Sequence, residues 1–292
     1  MHRSHLFAML ALSALTLAAV PVRADVSTEI NLRAEDFTKD LSSSKSDPRV
    51  VSDHLERLPG DPVGKASGDA SADLGTGELR AKAFAEKKDG FEILVGAAAR
   101  ATATDTLTVV DPLGGVSPVP VSFQMAVDGD LILPDNGGGA GRAFANVTAR
   151  LGASNDSESA QVQRQRTYDA TGAVLTDTQF DNGDWDNAVP VGTHFDLPLL
   201  ILDAMITPGT PFDFTSELFV SVGNETGVTG GETADFGNTA RITVVLPQGY
   251  SLESQSGFFL AGPIPEPQTW ALFVVGLAGL AYTVRRGRQL PR

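Results

Sequence analysis

Between about Glu78 and Leu246 apolar and polar residues alternate with period two, the mark of strands that bury one face. Phe212, Phe214, Leu218, Val220 and Val222 fall on one side of such a segment, and Asp213, Thr215, Glu217 and Ser221 fall on the other. Residues 119–127, 143–151 and 240–246 repeat the pattern, and 103–110 is a Thr-rich version of it. Residues 161–168 and 173–180 are joined by Asp169-Ala170-Thr171-Gly172, a hairpin turn. Residues 197–205 are apolar more continuously, which predicts a central strand. Gly-, Asn- and Pro-rich turns separate these segments, as at 111–115, 134–137, 181–184 and 247–249. Roughly ten strands and almost no helical period predict an all-β fold, an antiparallel β-sandwich or jelly roll, over 74–261. The stretch 25–73 is polar and shows little periodicity. It is expected to be loosely ordered or to add strands.

Both ends break the pattern. Arg3 and a run of about 15 mostly apolar residues precede Pro21, and Val22-Arg23-Ala24 gives the small-x-small pattern of a signal peptidase site, with cleavage between Ala24 and Asp25. The run is shorter than the roughly 20 residues of a spanning helix, which favours a cleaved signal over 1–24. Residues 269–284 are apolar apart from two threonines, enough for about 24 Å of helix. Trp270 and Tyr282 fit the two membrane interfaces. Arg285, Arg286 and Arg288 follow at once as a membrane stop, with Arg292 beyond them. Positive charge stays on the cytoplasmic side, so the body is expected outside.

Pro265-Glu266-Pro267, then Gln268-Thr269-Trp270-Ala271-Leu272, an apolar helix containing Gly276 and Gly279, and Arg285-Arg286 resemble the PEP-CTERM sorting signal of Gram-negative bacteria. The likeness covers 263–292. It implies recognition of Pro265, Glu266 and Pro267 by an exosortase, and delivery to the cell surface or the exopolysaccharide matrix. Proline restricts itself and the residue before it, so 263–267 should form a stiff extended stalk that a protease cleft can hold. Residues 70–80, 104–109, 234–240 and 246–250 are loosely similar to β-rich ectodomains found in front of this tail. That likeness implies a sandwich and assigns no catalytic residue.

Composition removes several classes of function. The chain has no cysteine, so disulfides, zinc–thiolate sites and a cysteine nucleophile are excluded. Its net charge is −14, and 35 of the 36 acidic residues lie in 25–264 with only 16 of the 22 basic ones. Such a body repels a phosphate backbone, and no nucleic-acid partner is expected. Only His54 and His194 remain after signal removal, and no G-x-S-x-G elbow is present. Gly137-Gly138-Gly139-Ala140-Gly141 runs into an alternating segment rather than a helix, which argues against a phosphate loop. One loop offers chemistry. Asp181, Asp184 and Asp186, with Asn182 and Asn187, provide the oxygen donors that Ca²⁺ takes. Trp185 between them is a candidate sugar contact, set against a Trp that caps the core.

These features predict a non-enzymatic surface or biofilm-matrix protein without a required cofactor, Ca²⁺ being the one candidate ion. It would be exported by the Sec translocase, cut by signal peptidase, anchored in the inner membrane with its body in the periplasm, and then sorted by an exosortase. The alternatives are a carbohydrate-binding module for the matrix exopolysaccharide acting through Trp185, and a secreted hydrolase.

Overall fold

The computed structural model describes residues 24–34, 41–47, 49–57, 64–88, 95–185, 190, 192–225, 227–257 and 259–260. Its strands are β1 (Asp25–Ala34), β2 (Leu41–Asp47), β3 (Val50–Arg57), β4 (Gly64–Asp73), β5 (Glu78–Lys87), β6 (Val95–Val110), β7 (Val119–Ile132), β8 (Gly141–Ala153), β9 (Asp156–Tyr168), β10 (Val174–Asn182), β11 (His194–Ile206), β12 (Pro211–Asn224), β13 (Gly230–Val245) and β14 (Ser251–Ser254). The period-two signal is realised almost without fault in β6, where every odd position from Val95 to Val109 is buried and every even one half-exposed.

The strands form two antiparallel sheets. The larger runs β10-β9-β8-β12-β6-β1-β2, with β14 added beside β6. The smaller runs β11-β7-β13-β5-β4-β3. Their inner faces share one hydrophobic core, giving a sandwich-like all-β fold. The core is uneven. Ala66, Ala70, Ala81, Ala83, Ala97, Ala99 and Ala101 line one side, whereas Phe123, Phe195, Phe214, Phe236 and Met125 fill the other. The sheets approach closely on the alanine side, where a Cβ on Gly68 would stand 2.5 Å from Ile30 Cγ2.

Residues 25–73 supply β1 to β4. Val26, Ile30 and Leu32 point into the core, and β1 lies between β6 and β2 inside the larger sheet. The ordered sheets therefore begin at Asp25 rather than near residue 74. Their period is faint in the sequence because small residues carry it, Ala66, Gly68, Ala70 and Ala72 against Lys65, Ser67, Asp69 and Ser71.

The strand over 197–205 is not central. β11 is the edge of the smaller sheet, and its register to β7 breaks between Leu197 and Leu200. Its apolar run includes outward residues, with Leu199, Ile201 and Met205 all exposed. Pro198 sits in this break, in keeping with the confinement of proline to edges and bulges.

Both ends of the described body gather at one pole. Asp25 stands opposite Thr104, Ser251 opposite Val110, and the Leu260 N–H donates to Leu74 O at 3.0 Å. The last segment is fastened there. Asp105, buried, accepts hydrogen bonds from the Ser254 hydroxyl and, at 2.8 Å, from the Ser256 hydroxyl. Phe259 packs edge-on against Phe214 with ring centres 5.0 Å apart. Val95, Ala143 and Asn224, paired side by side, mark the opposite pole. Among the described residues no helix is long and apolar enough to cross a membrane. The expected signal helix and C-terminal helix fall on 1–23 and 261–292, outside the described residues.

Candidate functional site

Pairing register aligns outward residues into rows that cross each sheet. On the larger sheet one row runs Ala98, Ser221, Asn146, Gln163, Phe180 through β6, β12, β8, β9 and β10. The next row toward the 224 pole runs Gly96, Gly223, Phe144, Gln165, Thr178. Over these five strands neither row contains an ionisable residue; on β1 the first continues to Asn31 and the second to Arg33. A row on the other side runs Arg100, Phe219, Thr148, Gln161, Asn182. Strands lie about 4.8 Å apart, so each row extends about 19 Å from the first strand to the fifth.

A trough of about 440 Å³ opens on this face, lined by Asn31, Ala98, Phe144, Ser221 and Gly223, with Glu225 at its end. Glycine shapes it. A Cβ on Gly223 would stand 3.0 Å from Phe144 Cζ, so the bare backbone lets the ring lie over the strand. Beyond its Phe144 wall amides are held in place on β8 and β9, Gln161 Nε2 donating to Asn146 Oδ1 at 2.7 Å and Arg142 Nη1 to Gln165 Oε1 at 3.5 Å. Charges stay at the rim in pairs. Arg142 Nε donates to Glu225 Oε1 at 2.8 Å, and Arg100 lies 3.3 Å from Glu29 with its guanidinium 5.2 Å above the centre of the Phe219 ring.

Inside the molecule, behind this trough, Asn224 donates to both carboxyl oxygens of fully buried Glu232 at 3.1 Å. Burial pushes the Glu232 carboxyl up to about 8, while the Asn224 bond and the nearby charge of Lys87 oppose the rise.

The smaller sheet presents a different outer face. His54 Nδ1 lies 2.5 Å from Asp69, Lys82 2.6 Å from Asp235, Arg80 2.9 Å from Glu78, and His194 3.7 Å from Asp130. A depression of about 210 Å³ lies among His54, Asp69, Arg80 and Lys82, with Ser52 and Ser71 at its side. No serine hydroxyl is hydrogen-bonded to His54 among the described residues, so the two serines and the His54–Asp69 pair do not form a nucleophile relay.

No family model matches this chain, and no curated protein is similar to it.

The described part of the acidic loop, Asp181 to Trp185, is an edge plug. Gly183–Trp185 forms a single 3₁₀ turn between β10 and β11. Trp185 is fully buried, its Nε1 donating to Pro198 O at 2.8 Å. Asp184 Oδ2 accepts the Ile201 N–H at 2.9 Å. Both contacts cover edge groups of β11 that would otherwise offer themselves to another strand. Of the two readings of Trp185, burial agrees with the Trp that caps the core and corrects the candidate sugar contact, because a ring with no exposed face cannot stack on a sugar. Asp181 accepts a hydrogen bond from Gln179 at 3.1 Å, and Asp186 lies outside the described residues. Among the described residues no three His, Asp or Glu side chains gather as a metal site. Pro265, Glu266, Pro267, Arg285, Arg286 and Arg288 also lie outside the described residues, and Asp25, after the expected cleavage at Ala24, is the first residue of β1.

The amide trough carries no motif in the sequence. The trough is lined from β1, β6, β8 and β12, which are not neighbours along the chain, and the amides beside it come from β8 and β9. The only local trace is the spacing Gln161, Gln163, Gln165, three amides on one side of a strand.

Proposed function

We propose that this is an exported surface or extracellular-matrix protein, a β-sandwich ectodomain released from a signal helix and carried on a single C-terminal transmembrane helix. The PEP-CTERM tail directs its sorting by an exosortase, and the body is a structural or binding module rather than an enzyme. The observation that carries this reading is the meeting of the body's two ends at one pole. The last segment is pinned there by Asp105, Phe259 and the Leu260 N–H before the Pro265-Glu266-Pro267 stalk begins. A tail rooted so firmly transmits a tether's pull into the core and turns the opposite pole away from the membrane. The Pro265-Glu266-Pro267 motif follows within a few residues of the last described contact, at Leu260.

Mass spectrometry of the protein from its native envelope tests the proposal. The mature chain is expected to start at Asp25 and to end near Pro267. Replacing Pro265, Glu266 and Pro267 together by alanine should leave the tail uncut and the protein in the inner membrane. A native chain that keeps Arg292 and stays with the cell interior would overturn it.

A further inference from the structure

We propose that the trough on the larger sheet, together with the amides of β8 and β9 that adjoin its Phe144 wall, binds a neutral polysaccharide chain. The proposal rests on the reading of the protein as exported, and it names the matrix component that the body holds.

Charge is the first argument. In a chain of net charge −14, two consecutive rows carry no ionisable residue from β6 to β10, and charged residues enter only at the ends, Arg33 opposite Gly96 on β1 and Glu225 at the end of the trough. The flanking Arg100 and Arg142 are matched with Glu29 and Glu225. Solubility alone does not require this, since the other sheet solves the same problem with ion pairs. A neutral surface attracts neither a polyanion nor a basic segment, and it spares a neutral ligand the cost of stripping water from charges.

Chemistry is the second. An amide offers two donors and an acceptor together, and this suits the adjacent hydroxyls of a sugar, which donate and accept in turn. Asn146, Gln161, Gln163 and Gln165 form a contiguous group of such amides, two of them held in place by the Gln161–Asn146 bond. Gln163 makes no side-chain hydrogen bond within the described residues, so its amide is available to a ligand. Phe144 lies beside the amides, and Phe180, 55% exposed, closes the row. Aromatic rings supply the apolar platform that a sugar's C–H face needs.

Shape is the third. Gly96, Ala98, Ser221 and Gly223 make a floor without protruding side chains, and the trough's 440 Å³ lies within the range of about 300–1,000 Å³ of small-ligand sites. Its open form suits a chain passing across the strands rather than a single enclosed molecule. The trough also lies in the half of the sheet remote from Leu260, so a body tethered by its tail would turn it toward the matrix.

Affinity electrophoresis of the full chain in detergent tests the site, with soluble β-glucan, galactomannan and xylan as neutral probes and alginate as the anionic one. Retardation by at least one neutral polymer is expected, and none by alginate. Ala98→Trp should abolish retardation by filling the floor. Phe144→Ala and Gln163→Ala should each weaken it by about tenfold. Phe180→Ala, at a more exposed position where folding is least at risk, should weaken it measurably, and Lys82→Ala on the other sheet should leave it unchanged. Retardation by alginate alone, by no polymer, or equally in all variants would overturn the proposal. Mass spectrometry of the same variants reads the sorting claim separately. A correctly processed protein that ignores every neutral polymer defeats the trough alone, and a polymer-binding protein with an uncut tail defeats the sorting reading alone.

Discussion

On the outer face of the smaller sheet Lys82 meets Asp235 at 2.6 Å and His54 meets Asp69 at 2.5 Å, while the rows of the larger sheet run through Ala98, Ser221, Asn146, Gln163 and Phe180. Both faces are the polar half of the same period-two alternation, and both cover the same core. The smaller sheet answers solvent with exposed ion pairs, which add little stability and keep an acidic surface from carrying unmatched charge. The larger sheet gives up charge on two rows from β6 to β10, with Arg33 of β1 opposite Gly96 beyond them, and carries amides, a glycine floor and phenyl rings there instead. Solvation permits either answer, so a face that forgoes the common one points to a requirement other than solubility.

The largest expected effect lies at the edge between the two sheets. Trp185→Ala should cost about 3–5 kcal/mol in urea unfolding, because a fully buried indole and its bond to Pro198 O are lost together. Both faces should then melt in one transition. If instead only the smaller sheet loosens, the two faces are not parts of one cooperative unit, and the comparison between them loses its basis.

The next concerns Glu232, behind the trough. Its folded-state pKa is raised from 4.5 to about 8, so between those values the folded chain holds a proton that the unfolded chain has released. The contribution of this group to stability should therefore fall as pH rises from about 4.5 to about 8, on the order of a few kcal/mol, and be level outside that window. Glu232→Gln should flatten this slope and raise the melting temperature at pH 8. An unchanged slope in the variant would assign the pH dependence elsewhere.

The smallest effect sharpens the contrast between the faces. Lys82→Ala should cost under about 1 kcal/mol, and the difference should shrink in 1 M salt, since both partners are partly exposed. A cost of several kcal/mol would show that the ion pairs hold the smaller sheet together rather than merely solvate it.

Legibility varied with the contrast between neighbours along the chain. β7, β8 and β12 alternate large apolar with polar residues and are evident without a structure. β4 alternates alanine and glycine with serine, lysine and aspartate, and its signal is faint. β11 misleads because Leu199 and Ile201 are apolar but face outward, so an edge strand reads as a central one. Trp185 was visible as the one tryptophan of the body, yet its burial depends on Pro198, thirteen residues away on another strand.

The sequence by itself determined which residues of each strand point in and which point out, because that period is a property of one extended backbone. The resemblance of the tail to a sorting signal likewise rests on residues contiguous in the chain, 263–292. Only the tertiary structure decided that Ala98, Ser221, Asn146 and Gln163 stand in one row. Strand order and register are set by pairings between segments far apart along the chain, and a shift of one residue would turn the whole set to the other face.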